Sequence, residues 1–304
     1  MNDKGKIWMD GKFVEWNDAK IHILTHGLHY GTTVFEGIRC YNTDKGPAIF
    51  RLEDHVRRLM NSCKMYHMNA EFSEKEMEEA IIETIKINNV IDCYIRPICY
   101  YRYGKMGVNP LPNKVSTAIA LWDWEDHLKL QGNNGMKAIV SSWVRIDSRS
   151  LPIHAKASAN YANSAMARIE AIKSGFDEAI MLNMNGMVVE GTAENLFIVK
   201  NKVLQTPPLT SGALEGITRA SVLAIAEHLD IQFEICDISR DELYSADEVF
   251  LTGTAAEIKA IGEIDKIIIF DGKIGKITSR IQDLYYQVVH GKNEKFEKWL
   301  TYIT

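Results

Sequence analysis

Asn185-Gly186, lying between the apolar runs Glu178 to Asn183 and Met187 to Gly191, constrains the fold more than any other feature of the chain. An Asn-Gly pair is the strongest short hairpin cue in the chain, so the flanking runs are predicted as antiparallel strands. Asp10-Gly11 divides Lys6 to Trp16 in the same way. Helical periodicity appears elsewhere. Val56, Leu59, Met60, Cys63 and Tyr66 recur at helical spacing from Asp54 onward, and Ser73 with Glu76 forms a capping box ahead of Met77, Ala80, Ile81, Thr84 and Ile85. Tyr94 to Tyr101 and Val115 to Trp122 read as strands, Asn160 to Lys173 as a helix closed by Gly175, and Asn195 to Lys200 as a strand. Ile217 to Leu229 reads as a helix, Ser239 to Glu242 as a second capping box, and Glu248 to Thr252 as a strand. Strands and helices mixed in this manner over 304 residues exceed what one layer pair buries. The expectation is an α/β (α+β) chain of two domains. The polar segment Glu125 to Gly135 marks the boundary: a small N-terminal α/β domain at 1–128, a linker at 129–135 and a large C-terminal domain at 136–304.

Charge and cysteine usage narrow the partners. There are 35 Lys and Arg against 40 Asp and Glu, a net charge of −5 with a pI near 6.0, which argues against nucleic acid or an anionic membrane as the main partner. Five scattered cysteines without a C-x-x-C pair fit a reducing compartment better than a disulfide framework. No apolar run approaches the ~18 residues of a membrane span, and the N-terminus leads into no signal-like apolar stretch. The expectation is a cytoplasmic enzyme.

The Walker A loop, G-x-G-x-x-G after a strand, G-x-S-x-G and H-E-x-x-H are all absent, which argues against the common nucleotide, hydrolase and zincin classes. His22, His26 and His29 could ligate zinc if brought together, although no acidic general base accompanies them. Three other stretches are unusual. Lys156 is the only lysine between Lys137 and Lys173 and is flanked by alanines, the setting of an amine that burial turns into a nucleophile or base; the alternative is a lysine snorkelling at a helix entrance. Glu190 ends a strand just before a glycine, where its carboxylate could cap the next segment or pair with a cationic ring nitrogen. The small-residue loops Ser211 to Arg219 and Leu251 to Glu257 offer backbone amides, the first at a helix N-terminus suited to phosphate, the second suited to a carboxylate.

Taken together, these stretches resemble the class IV (fold-type IV) pyridoxal-phosphate aminotransferases, and among them the branched-chain amino acid aminotransferases. The resemblance runs from about Trp8 to Ile281 and is carried by ordered blocks. They are His29-Tyr30-Gly31-Thr32 leading to Val34-Phe35-Glu36-Gly37-Ile38-Arg39, the helix with His55 and Arg58, Tyr94-Ile95-Arg96-Pro97, and Met106-Gly107-Val108-Asn109-Pro110. Ser141-Ser142-Trp143, Ala155-Lys156 through Asn160-Tyr161, Glu190-Gly191 with Glu194-Asn195-Leu196-Phe197, and the Gly216 and Gly253 loops complete the set.

The resemblance implies two domains with the cofactor, pyridoxal 5′-phosphate, at their interface. It makes Lys156 the lysine that carries the cofactor and shuttles the proton, Glu190 the carboxylate facing the pyridine nitrogen, and Tyr161 the donor to the ring's phenolic oxygen. Arg58, the Gly216 turn, Ile217, Thr218 and Thr254 would hold the phosphate. Tyr94 and the Thr254-Ala255 amides would take the substrate α-carboxylate, and Arg96 the distal carboxylate of glutamate. Phe35, Tyr30, Tyr161 and Trp124 would line an apolar pocket. Tyr30 and Val108 in relatives reach the neighbouring subunit, so at least a homodimer is expected. The implied reaction is reversible, ping-pong transfer between leucine, isoleucine or valine and 2-oxoglutarate, with no metal. Arg102 to Lys105 and His127 depart from the pattern of many relatives and bear on side-chain preference. D-amino acid aminotransferases and aminodeoxychorismate lyases share the lysine and glutamate, but the Tyr94, Phe35 and Gly253 blocks favour the branched-chain group. A metal-dependent hydrolase built on the three histidines, or a ligand-binding module, are the readings outside this class.

Overall fold

The computed structural model describes residues 5–123 and 135–303; Trp124, His127 and, apart from Gly135, the expected 129–135 linker lie outside them. Two compact units emerge. The first comprises 5–123, 155–159 and 287–303, the second 135–154 and 160–286. This division departs from a contiguous 136–304 domain in two places, and packing explains both. Leu300–Tyr302 pairs as a strand with Gly46–Phe50, and Ala155 and Ala157 are buried in the core of the first unit.

The first unit is built on an antiparallel sheet with eight strands among the described residues. Its order is Leu300–Tyr302, Gly46–Phe50, Ile38–Thr43, Cys93–Tyr101, Val115–Trp122, Lys6–Met9 and Lys12–Glu15, with Thr33–Phe35 also paired to Cys93–Tyr101. The Lys6–Met9 and Lys12–Glu15 strands turn at Asp10-Gly11 as the sequence indicates. Helices Leu52–Met65 and Glu74–Asn88 share the core with the sheet: Leu52, Val56, Leu59, Cys63, Met77, Ile81 and Ile85 are all 2% exposed or less. Each such aliphatic side chain contributes about 1.5–3 kcal/mol of burial free energy. The Ser73–Glu76 capping box starts the second helix; Ser73 Oγ accepts from the Glu76 amide, and Glu76 accepts from the Ser73 amide. Strand alternation sorts Cys93–Tyr101. Cys93, Ile95, Cys99 and Tyr101 enter the core, which turns Tyr94 and Arg96 to the opposite face.

The second unit holds a nine-stranded sheet among the described residues, mostly antiparallel, with Met136–Val140 parallel to both of its neighbours. Val188–Glu190 pairs with Glu178–Leu182 on one side and with Asn195–Lys200 on the other. The pairing therefore closes on itself through six strands, and Val203–Thr206 and Phe233–Ile235 extend the sheet outward from Asn195–Lys200. Ala138, Ile180, Val188, Leu196, Val249, Leu251 and Ile261 fill its core. The Glu178–Leu182 and Val188–Glu190 strands flank Asn185-Gly186, and the register shifts by a bulge between Val188 and Glu190. Helix Ser158–Lys173 turns Ala167 and Ala171 onto Phe176, Ala179 and Met181, and helix Ile217–His228 follows Gly216. No helix among the described residues is long and apolar enough to cross a membrane.

Candidate active site

In the first unit the chain is held tightly around Lys156. The Lys156 amide donates to Ser62 Oγ (3.0 Å), and its carbonyl accepts from the Phe35 amide (2.9 Å). Ala155 and Ala157 on either side are 1% and 0% exposed. Lys156 itself is half-buried, with Nζ 5.4 Å from the centre of the Phe35 ring. The alanine flanks that marked this lysine in the sequence are thus core residues that fix its backbone.

One helical turn before Ser62 stands Arg58. It donates through Nε and Nη2 to the two carboxylate oxygens of Glu36, at 2.6 and 2.8 Å, while His55 Nδ1 donates to Glu36 Oε2 at 2.8 Å. Glu36 and His55 are fully buried. Burial works to raise the Glu36 carboxyl, but Arg58 and His55 outweigh it and hold that group well below the usual carboxylate range; burial pushes the His55 imidazole down. Tyr94 and Arg96 lie on the outer face of the sheet. The Arg96 guanidinium sits 4.7 Å from the Phe35 ring centre, 5.4 Å from Tyr94 and 5.5 Å from Trp122. Its Nη2 is 3.4 Å from the Tyr94 hydroxyl, and its Nε is buried with no hydrogen-bond partner among the described residues. Gly37 leaves room for that hydroxyl: a Cβ there would lie 1.8 Å from the Tyr94 oxygen. Tyr30 and Val108 are exposed, at 41% and 82%.

In the second unit Glu190 is buried at the end of its strand. Arg145 Nη2 meets Oε1 at 2.9 Å, while the Leu214 amide and Asn195 Nδ2 donate to Oε2 at 3.0 and 3.2 Å. Asn195, its cross-strand partner, also donates to the Leu214 carbonyl at 2.9 Å. Gly216 permits this packing, because a Cβ there would fall 1.8 Å from Asn195 Oδ1. Gly216 stands just before the Ile217–His228 helix and no side chain caps that N-terminus; Thr218, in its first turn, is 3% exposed. Backbone amides at such an end favour an anion. Thr254 and Ala255 are half-buried in the turn joining Glu248–Gly253 to Glu257–Ile264, and Tyr161 is half-buried in the first turn of Ser158–Lys173.

The three histidines go separate ways. His22 Nδ1 accepts from the Leu24 amide, and its ring stacks on Tyr103. The buried His26 ring bonds Thr32 Oγ1 and donates to the Gly107 carbonyl, and His29 Nε2 donates to the Ile23 carbonyl. No group of three or more potential metal ligands occurs among the described residues. Sequence reasoning gave no role to Glu36, Ser62, Trp122, Arg145 or Asn195. Glu36 and Asn195 belong to the blocks Val34 to Arg39 and Glu194 to Phe197, and the pairing of the Tyr94 strand with Val115–Trp122 sets Trp122 opposite Tyr94. Arg145 and Ser62 carry no local signal.

The model of the family described as amino-transferase class IV matches residues 33–264. A branched-chain-amino-acid aminotransferase of Escherichia coli (strain K12) is 44% identical over 297 residues, covering 97% of this chain and 96% of the relative. Among solved structures, the branched-chain aminotransferase of the archaeon Thermoproteus uzoniensis with norvaline superposes with a TM-score of 0.95 at 43% identity, covering 99% of this chain and 100% of the other. The branched-chain amino acid aminotransferase of Thermobaculum terrenum in its PLP form gives 0.94 at 37% identity, covering 100% of both chains.

Proposed function

The chain belongs to the amino-transferase class IV family, and from that premise we propose that it is a branched-chain amino acid transaminase using pyridoxal 5′-phosphate. It moves an amino group reversibly between leucine, isoleucine or valine and 2-oxoglutarate, in a ping-pong cycle. The observation that carries this reading is the setting of Lys156: its peptide is fixed on both sides, by Ser62 and by Phe35, between two buried alanines, with Nζ 5.4 Å from the centre of the Phe35 ring.

The residues fit such a cofactor. An uncapped helix N-terminus at Gly216 suits a phosphate, and Glu190 is a buried, multiply bonded carboxylate suited to a cationic ring nitrogen. When bound, the cofactor supplies an electron sink for the substrate carbon that loses its proton. Lys156 would hold it covalently, and its amine, when displaced by the amine of the substrate, would move the proton at the substrate α-carbon. Glu190, braced by Arg145, Asn195 and the Leu214 amide, would keep the ring nitrogen protonated. As the family resemblance implies, Arg58, the Gly216 turn, the Ile217 and Thr218 amides and the Thr254 hydroxyl would hold the phosphate, and Tyr161 would donate to the phenolic oxygen. Tyr94 and the Thr254-Ala255 amides bind the α-carboxylate. Arg96, whose Nε is buried without a hydrogen-bond partner among the described residues, would receive the distal carboxylate of glutamate. Phe35 and Tyr161 supply apolar surface to a branched side chain, with Tyr30 and Val108 contributed from a second copy of the chain. In support of that second copy, Ile23, Leu28, Tyr30, Val108 and Leu111 are exposed on two segments tied together by the His26–Gly107 bond. The five cysteines are free thiols, which suits the cytoplasm.

The test is direct. After incubation with pyridoxal 5′-phosphate and reduction with borohydride, the mass increment belongs on the peptide containing Lys156, and Lys156→Ala loses both that increment and transamination. An increment elsewhere, or an active Lys156→Ala variant without added amine, overturns the reading.

A further inference from the structure

Ser62 is completely buried in the Leu52–Met65 helix, and both functions of its hydroxyl are used. It donates to the Arg58 carbonyl four residues back (2.9 Å) and accepts from the Lys156 amide, ninety-four residues on (3.0 Å). Bonding to the carbonyl four residues back is common for a serine inside a helix and by itself means nothing more. The second bond is different, because it reaches out of the helix to the peptide of the residue whose amine is the reactive group. Once the hydroxyl hydrogen is committed to Arg58, an oxygen lone pair is left pointing at Lys156.

The surroundings make this link the adjustable one. On the strand side Lys156 is fixed by the Phe35 amide and by the bridge between Val34 and Ala157. On the helix side the Arg58 guanidinium is locked to Glu36 through two nitrogens, and Glu36 in turn is held by His55 and by the Gly37 amide. The two anchored groups, amine-bearing backbone and guanidinium-bearing helix, therefore meet at the Ser62 hydroxyl.

We propose that Ser62 is a positioning residue: its hydroxyl sets the register of the Lys156 backbone against the helix turn that carries Arg58, so that an amine and a guanidinium engage the aldehyde and the phosphate of one molecule at once. The proposal rests on the reading of Lys156 and Arg58 given above. Without the hydroxyl, the Lys156 amide loses its acceptor inside the core and the peptide shifts to find another, while the amine keeps its own chemistry.

The experiment compares two aldehydes on the full chain stripped of cofactor: pyridoxal 5′-phosphate, which offers a phosphate, and pyridoxal, which does not. The rate of borohydride-trapped labelling at Lys156 is measured for each. In the parent protein the phosphorylated aldehyde labels faster. In Ser62→Ala that advantage falls by about tenfold to a hundredfold, the scale of a misplacement of about 1 Å, while the pyridoxal rate stays within about twofold. Hydrogen exchange at the Lys156 amide accelerates in the same variant, and Ser62→Thr, which keeps a hydroxyl, restores the advantage. A Ser62→Ala protein with a lower Tm but an unchanged ratio of rates makes Ser62 merely structural and overturns the proposal. Should Ser62→Ala fail to fold, Ser62→Cys takes its place; its weaker sulfur acceptor reduces the ratio by a smaller factor, and an unchanged ratio there overturns the proposal equally. Failure of either aldehyde to label Lys156 in the parent protein refutes the functional reading itself, which is a separate outcome.

Discussion

The Arg96 guanidinium sits in a box of rings formed by Phe35, Tyr94 and Trp122, at distances suited to cation–π attraction. A guanidinium with a buried, unsatisfied Nε is poised for a ligand carboxylate, and a hydrogen bond to a charged group is worth about 1.5–3 kcal/mol. Arg96→Ala should therefore lower kcat/KM for glutamate and 2-oxoglutarate by about tenfold to a hundredfold, with leucine affected within about threefold. Steady-state kinetics of both half-reactions check this, and equal losses would reduce Arg96 to a packing role. Glu194 is governed by different physics. Desolvation, with Glu178 and Glu190 nearby, pushes its carboxyl up from 4.5 to about 8, against the Ala193 amide and Arg168. The folded chain then holds a proton that the unfolded chain has released, so this group costs stability progressively as pH rises from about 4.5 to 8. Glu194→Gln should remove that slope. Its Tm gain over the parent should grow between pH 5 and 8 in thermal melts; a gain independent of pH would mean that Glu194 is ionised throughout.

At the scale of elements, position depends on which neighbours a turn or strand end allows. The Gly216 turn packs against Asn195 so closely that no side chain fits between them, and Asn195 in turn bonds both Glu190 and the Leu214 carbonyl. Gly216→Ala should displace Asn195 and with it the acidic end of the Val188–Glu190 strand. The expected result is cofactor binding weakened at least about tenfold, read by titrating the stripped protein with pyridoxal 5′-phosphate and following its visible absorbance. Unaltered binding would show that the turn absorbs a methyl group by moving away. The elements themselves were largely legible beforehand. The capping boxes at Ser73 and Ser239 and the Asn185-Gly186 turn are local chemistry, and local chemistry acts within a few residues. The bulge before Glu190 was not legible, because a shift of register is a property of two strands and not of either one.

For the molecule as a whole, Ile23, Leu28, Val108 and Leu111 expose apolar side chains to water on two segments joined by the His26–Gly107 bond. With a second copy covering it, Val108→Asp should shift sedimentation toward a monomer and lower activity together. An unchanged oligomer would place the contact elsewhere. Domain organisation shows the opposite limit of sequence reading. Composition marks a single boundary, yet 155–159 and 287–303 belong to the first unit because a strand there pairs with Gly46–Phe50 and two alanines enter the core.

The sequence by itself determined the types of element and the turns and caps that separate them, since these depend on side-chain character and short spacing, and it carried the ordered blocks by which the chain resembles its family. Only the tertiary structure decided that Arg145 meets Glu190, that Glu36 locks Arg58, and that Ser62 holds the Lys156 amide. Those pairs join residues far apart in the chain. Which partner a buried charge or amide finds is settled by the packing that excludes water around it, and no pattern along the sequence encodes that.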